Sequence, residues 1–320
     1  MKIIYAGSPQ AAADTLKILI ENQKNFCFEV AAVLSNPPSA KGRHKELTPT
    51  ATASVALENN IPVFTPEHLN AECRQQIQPL GADLLVCFAY GHIFGPKFLE
   101  IFPMGGINLH PSLLPKYRGC TPVPAAILNR DKTTAVTIQT LSLKMDEGDI
   151  LAQKVVELNG TETGESLLNY SAQSGANLIL NVIKAAAQNG RLPEGRKQEG
   201  EASYTQIITK EDGKINWTES AEIIEAKIRA YYPEPGCWTV EKGLPLKILK
   251  AELPDSDKIT DKYENKVPGE VVEFNKSAGI LIKTGNGLLA VKELQRQGKK
   301  AMAYKDFMNG ARDFAGTVLQ

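Results

Sequence analysis

Over the first half of the chain, short apolar runs alternate with stretches whose apolar residues recur every three or four positions. The runs Lys2–Ala6, Glu29–Ser35, Leu84–Phe88 and Gly106–Leu109 read as strands, and Ala135–Leu141 with Ile150–Leu158 add later ones. Between them, Ala11–Gln23, Ala51–Asn59 and Ala71–Leu80 carry the helical period. Strands that alternate with helices predict a parallel sheet covered on both faces, a Rossmann-like half. From 189 to 203 the sequence is polar, rich in glycine and without apolar period, which marks a linker. Beyond it, one helix is expected over Ala221–Ala230. The pattern then turns strand-rich through Cys237–Val240, Leu246–Ala251, Gly269–Glu273, Gly279–Thr284 and Leu288–Glu293, with glycine-bearing turns between. Short strands in this rhythm predict a small barrel of OB-like type. The expected architecture is therefore α/β, with a Rossmann-like parallel-sheet domain over 1–189, a linker over 190–206 and an OB-like β-barrel domain over 207–320. No internal repeat is visible.

Composition changes this picture little. The 320 residues exceed what one core usually serves, in line with two domains, and 42% apolar with 22% charged residues is ordinary for a folded protein. Thirty-six basic residues balance thirty-six acidic ones, so no global field draws the molecule to a polyanion or an anionic membrane. Any nucleic-acid contact must be local, and DNA is not expected as a partner. Met1-Lys-Ile-Ile-Tyr-Ala-Gly7 enters a strand at once, with no secretory leader pattern, and no apolar run reaches the roughly 18 to 20 residues that span a bilayer. The expected location is the cytoplasm. The five cysteines, Cys27, Cys73, Cys87, Cys120 and Cys237, are scattered and lack CxxC spacing, which argues against a disulfide framework or a structural zinc site.

A Rossmann-like sheet invites a test for dinucleotide binding. The first strand-to-helix turn, Ala6-Gly7-Ser8-Pro9-Gln10, holds one glycine where the fingerprint needs three, and no GxxxxGK[ST] loop occurs. Neither a nicotinamide or flavin dinucleotide nor nucleotide hydrolysis finds support.

The chemistry concentrates in Gly105-Gly106-Ile-Asn108-Leu-His110-Pro-Ser112-Leu113-Leu114-Pro115, followed by Met145-Asp146-Glu-Gly148-Asp149. Asn108 and His110 stand two apart on a strand, so both side chains leave the same face, near the carboxyl end where open parallel sheets bind ligands. An amide can donate to an oxygen that gains charge, and an imidazole exchanges protons near neutral pH. Asp146, in a glycine-bearing loop after another strand, is the candidate to orient the imidazole. Such a set suits acyl transfer to an amine without a covalent intermediate or a metal. Ser112 is a candidate nucleophile by residue type, but GxSxG is absent and Ser-Leu-Leu-Pro reads as a loop that shapes a pocket wall. These residues leave the substrate open.

Asn108-x-His110-x-Ser112-Leu113-Leu114-Pro115 with a downstream Asp146-x-Gly-Asp is similar to the active-site signature of the folate-dependent formyltransferase family. The resemblance implies 10-formyltetrahydrofolate as formyl donor and no metal. It also implies that Asn108 holds the formyl oxygen, that His110 with Asp146 manages protons, and that Ser112, Leu113, Leu114 and Pro115 line the folate site. The loop Phe88-Ala89-Tyr90-Gly91-His92-Ile93 is then expected over the pterin ring.

The signature does not name the acceptor, but other segments resemble the branch of the family that formylates initiator methionyl-tRNA. These are Ala6-Gly-Ser-Pro9, Ala40-Lys41-Gly42-Arg43-His44-Lys45-Glu46-Leu47-Thr-Pro49 and Ile61-Pro-Val-Phe64 in the first half. In the second half they are Ile208-Thr-Lys-Glu-Asp-Gly-Lys-Ile-Asn-Trp217, Pro233-x-Pro-Gly-x-Trp238 and Glu293-Leu-Gln-x-x-Gly-Lys299-Lys300. The resemblance implies that the loop Lys41, Gly42, Arg43, His44, Lys45 reaches the acceptor stem, with Arg43 as wedge or anchor, and that the second domain with Lys299 and Lys300 supports the tRNA body. Two positions depart from the family pattern: Asn36-Pro37-Pro38 stands for the usual Asp-x-Pro, and His44 replaces a second glycine. Two alternatives stay open at this point, a formyltransferase for a small amine such as an amino sugar nucleotide and a tRNA-binding module without catalysis. A monomer is expected.

Overall fold

Strand β1 (Lys2–Gly7) sends Ile3 and Tyr5 into one apolar cluster and Ile4 and Ala6 into another, so both faces of its sheet are covered. That double burial is why the strands read as continuous apolar runs rather than as alternating ones. The computed structural model describes residues 1–41, 46–254, 261–311 and 313–320. After β1 the chain forms α1 (Gln10–Asn22), β2 (Glu29–Leu34), the short β3 (Ser39–Lys41) and β4 (Glu46–Thr48), then α2 (Ala51–Glu58), β5 (Val63–Phe64), α3 (Ala71–Ile77) and β6 (Leu84–Phe88). It continues through α4 (Pro96–Leu99), β7 (Gly106–His110), β8 (Arg118–Gly119), α5 (Pro122–Leu128), β9 (Thr133–Thr140), β10 (Ile150–Glu157), α6 (Gly164–Asn189) and β11 (Tyr204–Thr205).

The main sheet has the order β10-β9-β7-β6-β1-β2-β5. Its β5, β2, β1, β6 and β7 run parallel, while β9 and β10 join antiparallel at one side. Strand order reverses at β1, with β2 on one side and β6 on the other, which is where open parallel sheets form their crevice. Thr50 starts α2 and Asn70 starts α3, each accepting a backbone N–H with its side-chain oxygen. The helix expected over Ala71–Leu80 yields at Ile77 to a tighter turn over Gln78–Leu80, because Pro79 has no N–H to continue it.

Helix α6 is absent from the elements read above. Its buried face includes Ser171, Ala172, Ser174, Gly175 and Ala176, small residues that give little hydrophobic contrast. Gly175 is there for a physical reason: a Cβ at that position would lie 2.1 Å from Leu109 Cδ1. The glycine lets α6 press against β7 at the residue between Asn108 and His110.

The chain divides into two compact units, one of Met1–Pro122, Thr133–Glu157 and Leu167–Gln206, the other of Val123–Lys132, Leu158–Ser166 and Ile207–Gln320. In the second, α7 (Ala221–Ala230) is capped by the Ser220 hydroxyl. It precedes β12 (Cys237–Glu241), β13 (Leu244–Glu252), β14 (Val271–Asn275), β15 (Gly279–Lys283), β16 (Leu288–Arg296), β17 (Met302–Ala303) and α8 (Tyr304–Asn309). The strands form an antiparallel sheet in the order β12-β13-β16-β15-β14, with β17 beside β16. The C-terminal residues bond to both ends of that series. Val240 in β12 exchanges backbone hydrogen bonds with Gln320, Leu319 donates to Gly269, and Val271 in β14 donates to Thr317.

Segment 190–206, read from sequence as a linker, lies on the first unit. Arg196 exchanges backbone hydrogen bonds with Ile150, and β11 pairs in parallel with β8. No helix among the described residues is long and apolar enough to cross a membrane.

Candidate active site

Strand β7 lies between β6 and β9, with Asn108 beside Cys87 on one side and beside Gln139 on the other, while His110 pairs with Thr137. Ile107 and Leu109 point into the apolar cluster under α1 and α6, so Asn108 and His110 share the opposite face. His110 is buried and Asn108 half-buried. Gln139 and Thr137 leave the same face as their partners, and both are buried.

Asp146 completes the cluster from the β9–β10 connection. Its backbone is left-handed, with φ 54°, a conformation that aspartate tolerates better than most side chains. The turn closes only because residue 148 is glycine: a Cβ there would lie 1.7 Å from the Thr140 carbonyl oxygen. Thr140 and Asp149 then exchange backbone and hydroxyl hydrogen bonds across the turn. This close approach is the structural content of the Asp-x-Gly-Asp sequence.

Among the described residues, every polar contact shown for the Asp146 carboxylate is with a nitrogen. Oδ2 accepts the Gly119 N–H at 2.8 Å. Oδ1 accepts the Gln139 amide at 2.8 Å and the Asn108 amide at 3.4 Å, and lies 3.6 Å from His110 Nδ1. The Asn108 contact is at the long limit of hydrogen bonding, which leaves that amide free to turn to another oxygen. His110 Nε2 is 2.9 Å from the Tyr117 carbonyl oxygen. A carbonyl only accepts, so Nε2 carries a proton, and in the neutral ring Nδ1 bears the lone pair. The nitrogen that faces Asp146 is therefore the one that exchanges a proton.

The other residues singled out in the sequence are placed as follows. The Ser112 hydroxyl is buried and donates to the Lys116 carbonyl at 2.6 Å, while the Ser112 carbonyl accepts from Thr137 Oγ1 at 2.7 Å. These bonds hold the turn that carries half-buried Leu113 and buried Leu114 and Pro115. At the end of β6 and in the loop after it, Phe88 and Tyr90 turn inward to the two apolar clusters, whereas Ala89, Gly91 and Ile93 are exposed, Ile93 at 73%. Ala89 and Gly91 both have left-handed backbone. The Tyr90 hydroxyl is buried with no hydrogen-bond partner among the described residues, and burial pushes its pKa above the ordinary tyrosine range. The His92 ring packs at a tilt against Tyr90, centroids 4.9 Å apart, and His92 bonds to Asn36 at 3.0 Å. The β3–β4 pair is the base of the basic loop, with the backbone of Lys41 in register with that of Glu46. Gly42, Arg43, His44 and Lys45 lie outside the described residues. Lys299 and Lys300 are exposed on the second unit. A cavity of about 460 Å³ lined by Phe64, Glu67, His68 and Cys73 holds none of the predicted site residues. No group of three or more His, Cys, Asp or Glu among the described residues is placed to hold a metal ion.

Sequence reasoning did not select Gln139, Tyr117 or Gly119. Gln139 left a trace, since it places an amide at the end of the apolar-rich run Ala135-Val-Thr-Ile. The backbone groups of Tyr117 and Gly119 left none.

Residues 1–183 match the Formyl transferase family, and residues 207–312 match Formyl transferase, C-terminal domain. A methionyl-tRNA formyltransferase from Treponema denticola is 44% identical over 323 residues, covering 98% of this chain and 98% of that protein. HypX from Aquifex aeolicus, solved with tetrahydrofolic acid, has a TM-score of 0.64 at 13% identity over 98% of this chain, which spans 47% of the HypX chain. An N-formyltransferase from Helicobacter canadensis, solved with folinic acid and dTDP-3-aminofucose, has a TM-score of 0.62 at 21% identity over 91% of this chain and 99% of its own. At these identities the two structures bear on the fold alone.

Proposed function

Because this chain belongs to the formyl transferase family, we propose that it transfers the formyl group of 10-formyltetrahydrofolate to the amino group of methionine on initiator methionyl-tRNA. The observation that carries the reading is that likeness to a methionyl-tRNA formyltransferase runs over 98% of both chains at 44% identity. It spans the second unit as well as the first, so it extends beyond what the donor chemistry alone requires.

The side chains divide the work as their geometry allows. The methionine amine attacks the formyl carbon, the new C–N bond forms, and the bond from that carbon to the folate nitrogen breaks. Charge builds on the formyl oxygen between these events. Asn108, whose amide is only weakly engaged at 3.4 Å, turns its N–H to that oxygen. His110 exchanges the proton through Nδ1, so the amine loses one proton, the leaving nitrogen gains one, and the count balances. Asp146, held by Gly119 and Gln139, keeps the ring oriented and offsets its charge when protonated. The exposed loop residues Ala89, Gly91 and Ile93 cover the pterin, and Ser112 to Pro115 form the wall beneath it, while buried Phe88 and Tyr90 hold the loop in shape.

The loop Lys41 to Lys45 engages the acceptor stem, with Arg43 suited to fork to phosphate or stack on a base. The second unit, with Lys299 and Lys300, supports the tRNA body. We read that unit as an OB-like barrel, a reading supported by the C-terminal residues that bond to both β12 and β14. We take the enzyme to act as a cytoplasmic monomer. The test is to incubate the protein with 10-formyltetrahydrofolate and charged initiator tRNA, release the amino acid and separate it. Formylmethionine is expected, at a rate cut by one or two orders of magnitude in Arg43→Ala, in line with roughly 1 to 3 kcal/mol for a specific contact. Release of unmodified methionine alone would overturn the proposal.

A further inference from the structure

Residues 184–206 fall between the two family matches, yet one side chain of this stretch reaches the Asp146 turn. Gln198 Nε2 donates to the Asp146 carbonyl at 2.8 Å and to the Gly148 carbonyl at 2.8 Å, and lies 3.2 Å from Gln139 Oε1. Gln198 Oε1 accepts from Arg118 Nη2 at 2.8 Å and Nε at 3.1 Å. The amide orientation is fixed by chemistry, because carbonyls only accept and a guanidinium only donates. Around this knot, Arg118 Nη1 pairs with Glu147 Oε1 at 3.1 Å, and Tyr204 donates its hydroxyl to that same oxygen at 3.1 Å. Ser203 Oγ accepts the Tyr117 N–H at 2.9 Å, next to the carbonyl that holds His110.

The turn that Gln198 holds needs an external hold. Asp146 is in the left-handed region, which aspartate tolerates but does not favour, and its carboxylate must sit between Gly119, Gln139 and His110. Gln198 ties down the carbonyls at both 146 and 148 while its other end is locked to Arg118. Gln139, which it also approaches, is the residue that donates to Asp146 Oδ1.

We infer that Gln198 is a positioning residue for formyl transfer: it fixes the 146–148 turn so that Asp146 faces His110 Nδ1. The inference rests on the function proposed above. It makes segment 190–206 part of the active site's support, beyond its role as a connection.

The experiment compares the parent with Gln198→Ala and Gln198→Glu in formylation of initiator methionyl-tRNA, with rates expressed per folded molecule. The Glu variant keeps the oxygen that accepts both Arg118 N–H groups but loses both donations to the turn, so it retains the strap and removes the hold. Expected is a fall in kcat of about tenfold to a hundredfold in both, the range typical for residues that orient a reacting group from behind. KM for 10-formyltetrahydrofolate and for tRNA should stay within about twofold of the parent, and melting of the Glu variant within a few degrees. The inference is overturned if kcat of the Glu variant stays within about twofold of the parent, or if the loss lies in KM or only tracks a smaller folded fraction. A parent that makes no formylmethionyl-tRNA overturns the proposed function instead, and that outcome appears before any substitution is made.

Discussion

Replacement of Asp146 by asparagine keeps the shape of the side chain and removes its charge. In the native site, Oδ2 meets one N–H and Oδ1 meets the Gln139 and Asn108 amides with His110 Nδ1 at 3.6 Å, so all neighbours are nitrogens. Whichever way the new amide turns, its NH2 faces at least one donor, and one hydrogen bond becomes a donor–donor contact. A carboxylate 3.6 Å from a protonated imidazole contributes about 4 to 5 kcal/mol at an effective dielectric near 20. The transition state needs only part of that charge, so a loss of about 3 to 4 kcal/mol, or roughly 10² to 10³ in kcat, is expected. The assay is single-turnover formylation at saturating 10-formyltetrahydrofolate, with folding checked by circular dichroism. A folded Asp146→Asn variant with a rate within about threefold of the parent would refute the assignment.

Three further outcomes follow from the same geometry. Asn108→Ala should lower kcat by about 10² to 10³ while melting within a few degrees of the parent, since its amide makes one long hydrogen bond in the resting site; retained turnover would dismiss it as the oxygen donor. Gly148→Ala places a Cβ 1.7 Å from the Thr140 carbonyl oxygen and should cost about 3 kcal/mol, lowering the melting temperature by roughly 6 to 12 °C in a scanning calorimeter; a change of only a degree or two would show that the turn gives way easily. Burial pushes the Cys87 and Cys237 thiols up to about 12, so at pH 8 iodoacetamide should label exposed Cys27 and Cys120 and spare these two, and peptide mass spectrometry that found Cys87 labelled as fast as Cys27 would contradict this. The sign for stability is set by the same burial. Both thiols have raised values in the fold, so their contribution is intact below the unfolded thiol value near 8.5 and is lost as pH rises toward 12.

Asn108 and His110 were legible because a period of two on a short strand fixes a shared face without knowledge of the sheet around it. Asp146 was legible as a loop residue beside a glycine, but the reason for that glycine, contact with the Thr140 carbonyl, exists only once β9 and β10 pair. Gln139 required the register that sets it opposite Asn108, which no local pattern encodes. Helix α6 escaped because small residues fill the part of its face that approaches β7, and close packing there uses the absence of side chains rather than their hydrophobicity. The linker reading of 190–206 failed to anticipate Gln198, since a polar, glycine-rich segment looks the same whether its amides meet water or the carbonyls of the Asp146 turn. Tyr117 entered through its backbone carbonyl, a group present at every residue, so its identity carried no signal.

The central claim is most directly tested by competition among acceptors. The protein with 10-formyltetrahydrofolate is offered initiator methionyl-tRNA, elongator methionyl-tRNA and a dTDP-linked amino sugar, and kcat/KM is measured for each. The account predicts efficient formylation of the initiator, a much lower value for the elongator and none for the sugar. Preferential formylation of the amino sugar, with methionyl-tRNA left unmodified, would contradict it.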